Sequence, residues 1–276
     1  ALTRIHSILD MKPLPDAQRP ASPKDNSVEF KNVSFRYSGT ENDALSDISF
    51  KVNPGETVAL VGPSGGGKST AAGLISRFWD VTNGEITVGG VNVKNIRKSK
   101  LMETVSYVFQ DSRLLKASIF ENVRLARPNA SRSEVEIALH KAQCDDIIEK
   151  LPDGMDTVIG TKGVYLSGGE QQRIAIARVM LKDAPIIVLD EATAFADPEN
   201  ESLVQRAFEE LSKKKTVIMI AHRLTTVRNA DRIFVLKDGK IEESGTHDKL
   251  SQGGGLYAKM WQDYQTSISW KVGGAI

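Results

Sequence analysis

The stretch ETVALVGPSGGGKSTAAGLISRFW, residues 56–79, decides the fold. Val58, Ala59, Leu60 and Val61 form a short apolar run without polar interruption, the composition of a parallel strand buried on both faces, and the run stops at Gly62. A glycine-rich loop follows at once. Beyond it Ala71, Leu74, Ile75 and Phe78 fall at i, i+3, i+4 and i+7, which predicts a helix burying that one face. Strand, loop and helix in this order predict an α/β architecture.

Gly62, Pro63, Ser64, Gly65, Gly66, Gly67, Lys68 and Ser69 satisfy the spacing G-x-x-x-x-G-K-[ST], with Thr70 next in line. Glycines let successive backbone N–H groups converge on one point, and the helix start behind them adds partial positive charge, so the loop suits a polyphosphate. In such a cradle Lys68 reaches the β- and γ-phosphates as a point charge, and the Ser69 hydroxyl is a ligand for Mg²⁺.

Upstream, apolar residues alternate as in strands: Val28, Phe30, Val33, Phe35 and Tyr37, then Ile48, Phe50 and Val52. Ile86 and Val88 before Gly89-Gly90 add one more short strand to this antiparallel layer. Tyr37 closes its strand among polar residues, where its ring either stacks on a planar base or packs against its neighbours. Farther upstream, residues 1–11 carry the apolar spacing of a helix end and run into the proline-rich KPLPDAQRPASP. This reads either as a linker trailing from a preceding domain, as the missing initiator Met also suggests, or as a processed tail.

Downstream, LMETVSYVFQ (101–110) reads as a strand closing on Gln110, and residues 113–150 as helical, most clearly from Glu134 to Ile148, before Leu151-Pro152-Asp153-Gly154 breaks them. Ser167 and Glu170 in LSGGE (166–170) have the spacing of a capping box, so a helix starts there and buries Ile174, Ala177 and Leu181. Gly168 and Gly169 give that start exposed N–H groups, which read locally as an N-cap and, beside a phosphate loop, as a second anion site. Ile186 to Leu189 form another buried strand that delivers Asp190 and Glu191 at its C-terminal end, the edge where open α/β sheets bind ligands. Asp190 there suits Mg²⁺ and Glu191 an attacking water; elsewhere the two acids would simply be solvated. Thr216 to Ala221 is a further strand ending in His222, structural if alone and functional in this company. Ile233 to Glu243 read as a hairpin turning at Asp238-Gly239, and the chain past Thr246 as helical to about Tyr264, with the last residues unassigned.

Composition narrows the function classes. Lys+Arg 36 against Asp+Glu 35 leaves a net charge of +1, which gives no electrostatic case for nucleic acid as a partner. The single cysteine, Cys144, excludes an internal disulfide and has no nucleophile motif around it. No apolar run approaches the ~20 residues of a membrane helix.

In this order, the motifs resemble the nucleotide-binding domain of an ABC transporter, over about residues 28–262. The loop is shared with many folds, but LSGGE at 166–170 followed by IIVLDE at 186–191 is specific. The resemblance implies a P-loop NTPase (RecA-like) core with an antiparallel β subdomain and an α-helical subdomain. It implies a linker over residues 1–26 and a nucleotide-binding domain over 27–262, in which 27–110 and 168–262 form the catalytic core with the β subdomain and 111–167 the helical subdomain. Residues 263–276 are a C-terminal tail. It further implies an ATPase using ATP and Mg²⁺. Tyr37 resembles the adenine-stacking aromatic and Gln110 the glutamine sensing Mg²⁺ and γ-phosphate. Glu191 resembles the residue that polarises water, His222 the switch histidine and Asp197 the aspartate of the dimer D-loop. Ser167, Gly168 and Gly169 resemble the signature that binds the ATP held by another cassette, so the implied partner is a second nucleotide-binding domain, identical or not, in a head-to-tail dimer.

Ser118-Ile119-Phe120-Glu121-Asn122-Val123, Leu151-Pro152-Asp153-Gly154 and Gly245-Thr246-His247 look like the exporter-fold subtype. In that subtype the cassette follows six membrane helices of the same polypeptide and works on the cytoplasmic side of the membrane. Two stretches depart from the pattern. Gly160-Thr161-Lys162-Gly163 lacks the usual acid, and Ala194-Phe195-Ala196-Asp197 replaces Ser-Ala-Leu-Asp, keeping Asp197 while losing the serine. The spelling AFADPENE looks like cassettes linked to siderophore transport. Other readings are a non-transport cassette acting as a mechanical or regulatory module and a degenerate cassette that only holds nucleotide. The intact Glu191 and His222 oppose the second of these.

Overall fold

The computed structural model describes residues 13–109, 113–160, 164–190, 198–221 and 224–273. Two sheets organise them. The first is antiparallel, in the order β2 (Leu45–Val52), β1 (Val28–Phe35), β4 (Asn83–Val88), β5 (Val91–Asn92). The second, in the order β10 (Lys240–Gly245), β9 (Arg232–Lys237), β3 (Thr57–Val61), β8 (Thr216–Ile220), β7 (Ile186–Asp190), β6 (Val105–Val108), is parallel from β9 to β6. The Asp238-Gly239 turn adds β10 antiparallel to β9.

Helices fill the crossovers from β3 to β6, β6 to β7 and β7 to β8, and two more follow β10. They are α1 (Lys68–Ile75), α2 (Lys98–Thr104), α3 (Ile119–Arg124), α4 (Arg132–Lys141), α5 (Asp145–Lys150), α6 (Gly168–Lys182), α7 (Pro198–Ser212), α8 (His247–Gln252) and α9 (Leu256–Gly273). Among the described residues no helix is long and apolar enough to cross a membrane.

The apolar strand runs are continuous because both faces are covered. Val58 and Leu60 on β3 and Ile186 and Val188 on β7 pack with α1 and the antiparallel sheet in one core. Ala59 and Val61 turn the other way, to β9, Leu224, Val227 and Tyr257 of α9. Ile187 and Leu189 meet α3, α4, α6 and α7 in a third cluster. Cys144 is buried in that third cluster, and burial pushes its thiol up to about 12, so it has no thiolate with which to react near neutral pH.

Four sequence expectations change. Helix α1 ends at Ile75, because Arg77 takes a left-handed backbone (φ 54°) and ties back to Asp80, so Phe78 is turned out and 37% exposed. Residues 101–104 of LMETVSYVFQ belong to α2, which leaves only Val105–Val108 as strand. The span 113–150 is three short helices, since Ser118 and Ser131 each open a new capping box and Gln143 breaks α4 from α5 with φ 59°. The segment past Tyr264 continues α9 as far as Gly273.

Candidate functional site

Parallel pairing sends β3, β7 and β8 in one direction, so Val61, Asp190 and Ala221 finish at the same sheet edge. The loop after Val61 folds back over β9. Gly62 adopts φ 138°, and a Cβ built there would lie 1.9 Å from the Leu236 carbonyl oxygen, so only glycine fits. Gly67 caps α1 at φ 96° and supplies no side chain, and α1 has no acid in its first turn.

Lys68, the first residue of α1, is 5% exposed and curls into the loop, donating from Nζ to the carbonyl oxygens of Gly62 and Pro63, each at 2.9 Å. Burial lowers the pKa of its ammonium, and the Asp190 carboxylate opposes that shift, which places the two charges within electrostatic reach. Ser69 is exposed beside it, and Thr70 is buried with its hydroxyl 3.0 Å from the Tyr37 phenol. Tyr37 meets Phe35 and Trp79 edge to face, with centroids 4.8 and 5.2 Å away, and so stands half-buried at the rim of the loop.

Asp190 is 8% exposed. The Tyr107 hydroxyl donates to its Oδ2 at 3.3 Å. Burial, followed by the Asp190 charge, pushes the Tyr107 phenol well above its ordinary range, so it stays a donor. Tyr107 stacks on Phe109 at 4.3 Å, and Phe78 stacks on Phe109 at 6.0 Å. Sequence reasoning missed this aromatic group. Its only local signal is the i, i+2 spacing of Tyr107 and Phe109 at the end of β6, which says nothing of a partner 83 residues away.

The second glycine-containing helix start is built differently. The Ser167 hydroxyl accepts from Glu170 N–H at 3.3 Å while the Glu170 carboxylate accepts from Ser167 N–H at 2.7 Å, the full capping box of α6. Ser167 and Gly168 are exposed, and Gly169 is buried against Asn200 of α7, where a Cβ would stand 3.0 Å from the Asn200 Cβ. Behind them Arg173, fully buried, forms a bidentate pair with Asp146 of α5 at 2.6 and 3.0 Å. It also donates to the Gln143 carbonyl oxygen and to Asn200 Oδ1.

The structure thus brings Tyr37, the Gly62–Thr70 loop and Asp190 to one edge. Among the described residues no hydrogen bond or ion pair joins them to Ser167, Gly168 or Gly169, and α1 and α6 pack in different apolar cores. Gln110, Glu191, Asp197 and His222 lie outside the described residues, as do residues 161–163 and the D-loop change at 194–196. The site that is described offers a buried cation, a glycine-rich loop at an uncapped helix start and a carboxylate. This set suits phosphate and hard divalent ions. No group of His, Cys, Asp or Glu among the described residues forms a closed metal centre.

The comparisons agree with this chemistry. Residues 45–194 match the family model described as ABC transporter. An "ATP-dependent lipid A-core flippase" of Haemophilus influenzae is 46% identical over 263 residues, 95% of this chain and 45% of that protein. The "Mycobactin import ATP-binding/permease protein IrtA" of Mycolicibacterium thermoresistibile is 48% identical over 235 residues, 85% of this chain and 26% of that protein. Among solved structures, a bacterial Atm1-family ABC exporter with ATP bound superposes with a TM-score of 0.86 at 38% identity, covering 95% of this chain and 46% of that one. The chain spans less than half the length of these relatives. With its phosphate-loop fold, its buried lysine and a family match over more than half its length, the chain belongs to the ABC transporter family and is an ATP-binding, ATP-hydrolysing domain of the exporter type.

Proposed function

We propose that this domain powers transmembrane transport from the cytoplasmic side of a membrane, as part of a longer polypeptide that carries the membrane helices. In this reading it closes head to tail on a second nucleotide-binding domain around two ATP molecules and separates after hydrolysis. The observation that carries the reading is Lys68, buried inside the Gly62–Ser69 loop at the same sheet edge as Asp190. The relatives named as flippase and as ATP-binding/permease proteins support the transport role.

Lys68 and the loop N–H groups bind the β- and γ-phosphates, and Tyr37 receives the adenine. Ser69 and Asp190 are hard oxygen donors at the helix start and the strand end, a sparse set that would hold Mg²⁺. Gln110 is assigned to the same metal and to the γ-phosphate. When bound, Mg²⁺ neutralises charge on the phosphates. Glu191 orients and deprotonates the attacking water, while His222 and Lys68 stabilise charge developing on the transferred phosphoryl group. Ser167, Gly168 and Gly169 reach the γ-phosphate held by the partner domain, and Asp197 is assigned to the dimer D-loop. The substrate reading is siderophore-linked transport, supported by the AFADPENE spelling and by the mycobactin import relatives. The flippase relatives support a lipid instead, and a transport assay with both substrate classes separates them.

Replacing Glu191 with Gln in the full-length protein tests the mechanism. Turnover falls ~10²- to 10⁴-fold, the loss of a general base, while ATP affinity is retained and an ATP-bound dimer accumulates on size exclusion. Wild-type turnover in that variant would sink the assignment.

A further inference from the structure

Strand register places Tyr107 opposite Val188, with Asp190 two residues farther along β7, so all three side chains share one face of the sheet. That is the face α1 covers, and Lys68 opens α1. The Asp190 carboxylate therefore lies within electrostatic reach of one group and within hydrogen-bond distance of another. The first is the compact ammonium of Lys68, turned inward to the Gly62 and Pro63 carbonyl oxygens. The second is the phenol of Tyr107, 3.3 Å from Oδ2. The phenol is the stiffer of the two, because its ring is stacked on Phe109 and lies 5.7 Å from Phe78.

We propose that Tyr107 is a positioning residue for ATP hydrolysis: its hydroxyl holds the Asp190 carboxylate in the orientation that receives the metal and keeps it from collapsing onto Lys68. The inference rests on the reading of Asp190 as a metal ligand. A carboxylate offers about four acceptor directions, so the Tyr107 bond to Oδ2 orients the group without exhausting its capacity to accept. Partners of this kind, one step behind a metal ligand, fix its geometry, and their loss typically weakens metal binding by ~10- to 100-fold. Lys68 cannot substitute for Tyr107, since an ammonium drawn to Asp190 neutralises the very charge the metal needs and leaves the phosphate cradle. The assignment gives a function to a tyrosine placed on a largely buried strand.

Tyr107→Phe in the full-length protein provides the test, because it keeps the ring stack and removes a single oxygen. Mn²⁺ serves as the probe, its free and bound forms distinguished by electron paramagnetic resonance with a non-hydrolysable ATP analogue present. The concentration for half-saturation should rise ~10- to 100-fold. ATP affinity measured in EDTA should stay at the wild-type value, and excess Mg²⁺ should restore turnover. Unchanged metal affinity overturns the proposal, as does an equal loss of ATP binding in EDTA, which would mean general damage to the loop. Asp190→Asn in parallel separates the two failures. If it leaves metal affinity intact, the reading of Asp190 falls and Tyr107 with it. If it weakens metal binding and Tyr107→Phe does not, only the role of Tyr107 falls.

Discussion

Helix α1 begins on Gly67, in the left-handed region and without a side-chain cap, whereas α6 begins on Ser167 with every element of a capping box in place. A helix start leaves its first N–H groups without intrahelical partners. In α6 a hydroxyl and a carboxylate of the same turn satisfy two of them, and the Glu170 charge offsets the positive end of the helix. In α1 that provision is missing, an ammonium is buried alongside, and the loop in front is packed against Leu236 too closely for any residue but glycine. The first start is therefore built to be completed by a polyphosphate, while the second is complete on its own and can lend only an exposed hydroxyl and a glycine backbone to a ligand held elsewhere. This asymmetry within one chain is what the proposed head-to-tail dimer requires.

The comparison breaks most readily at Gly62. Gly62→Ala puts a methyl group into the Leu236 carbonyl and forces a backbone disfavoured for alanine, so the loop must shift at a cost of about 3 kcal/mol or more. Nucleotide binding by calorimetry should be lost and the melting temperature lowered; wild-type ATP affinity would show that the loop does not need its packed form.

Ser167→Ala should cost about 1 kcal/mol through the lost cap, a fall of roughly 2–4 °C in Tm for a domain of this size. ATP affinity of the monomeric form should be untouched and ATP-driven dimerisation weakened. If monomeric ATP binding fell as far as in Gly62→Ala, the two helix starts would not be doing different jobs.

The smallest effect is expected at the brace behind α6. Burial raises the Asp146 pKa, but the Arg173 hydrogen bonds and charge outweigh it, and the carboxyl lies below its ordinary value. A depressed folded-state pKa means that the contribution is fully present at neutral pH and is lost as pH falls below about 4. Amide exchange in α6 should accelerate only in that acid range, and Asp146→Asn should remove the pH dependence. An onset near pH 6 would assign the transition to another group.

The features legible beforehand are those written in neighbouring residues. The Val58–Val61 run, the glycine spacing of the loop, the Ser167/Glu170 pair and the Asp238-Gly239 turn each act over no more than a few positions, and the structure forms all four locally. Phe78 was misjudged because helical spacing carries no notice of where a helix stops, and the stop here is the left-handed backbone of Arg77. Arg173 was invisible as a buried residue. A charged side chain at a helical position ordinarily reads as solvated, and only the arrival of Asp146 from α5, Gln143 from the turn before it and Asn200 from α7 makes its burial tolerable.

By itself the sequence determined the parallel α/β architecture, the phosphate loop and the family, because periodicity, turn chemistry and motif spacing are properties of adjacent residues. Only the tertiary structure decided which side chains share a site. The pairing of β6 with β7, of β7 with β8 and of β8 with β3 puts Tyr107, Asp190 and Lys68 within reach of one another, and the separate packing of α1 and α6 keeps the two glycine-rich helix starts apart. Those outcomes depend on strand register and on which core each helix joins, which are set by contacts between residues tens of positions apart.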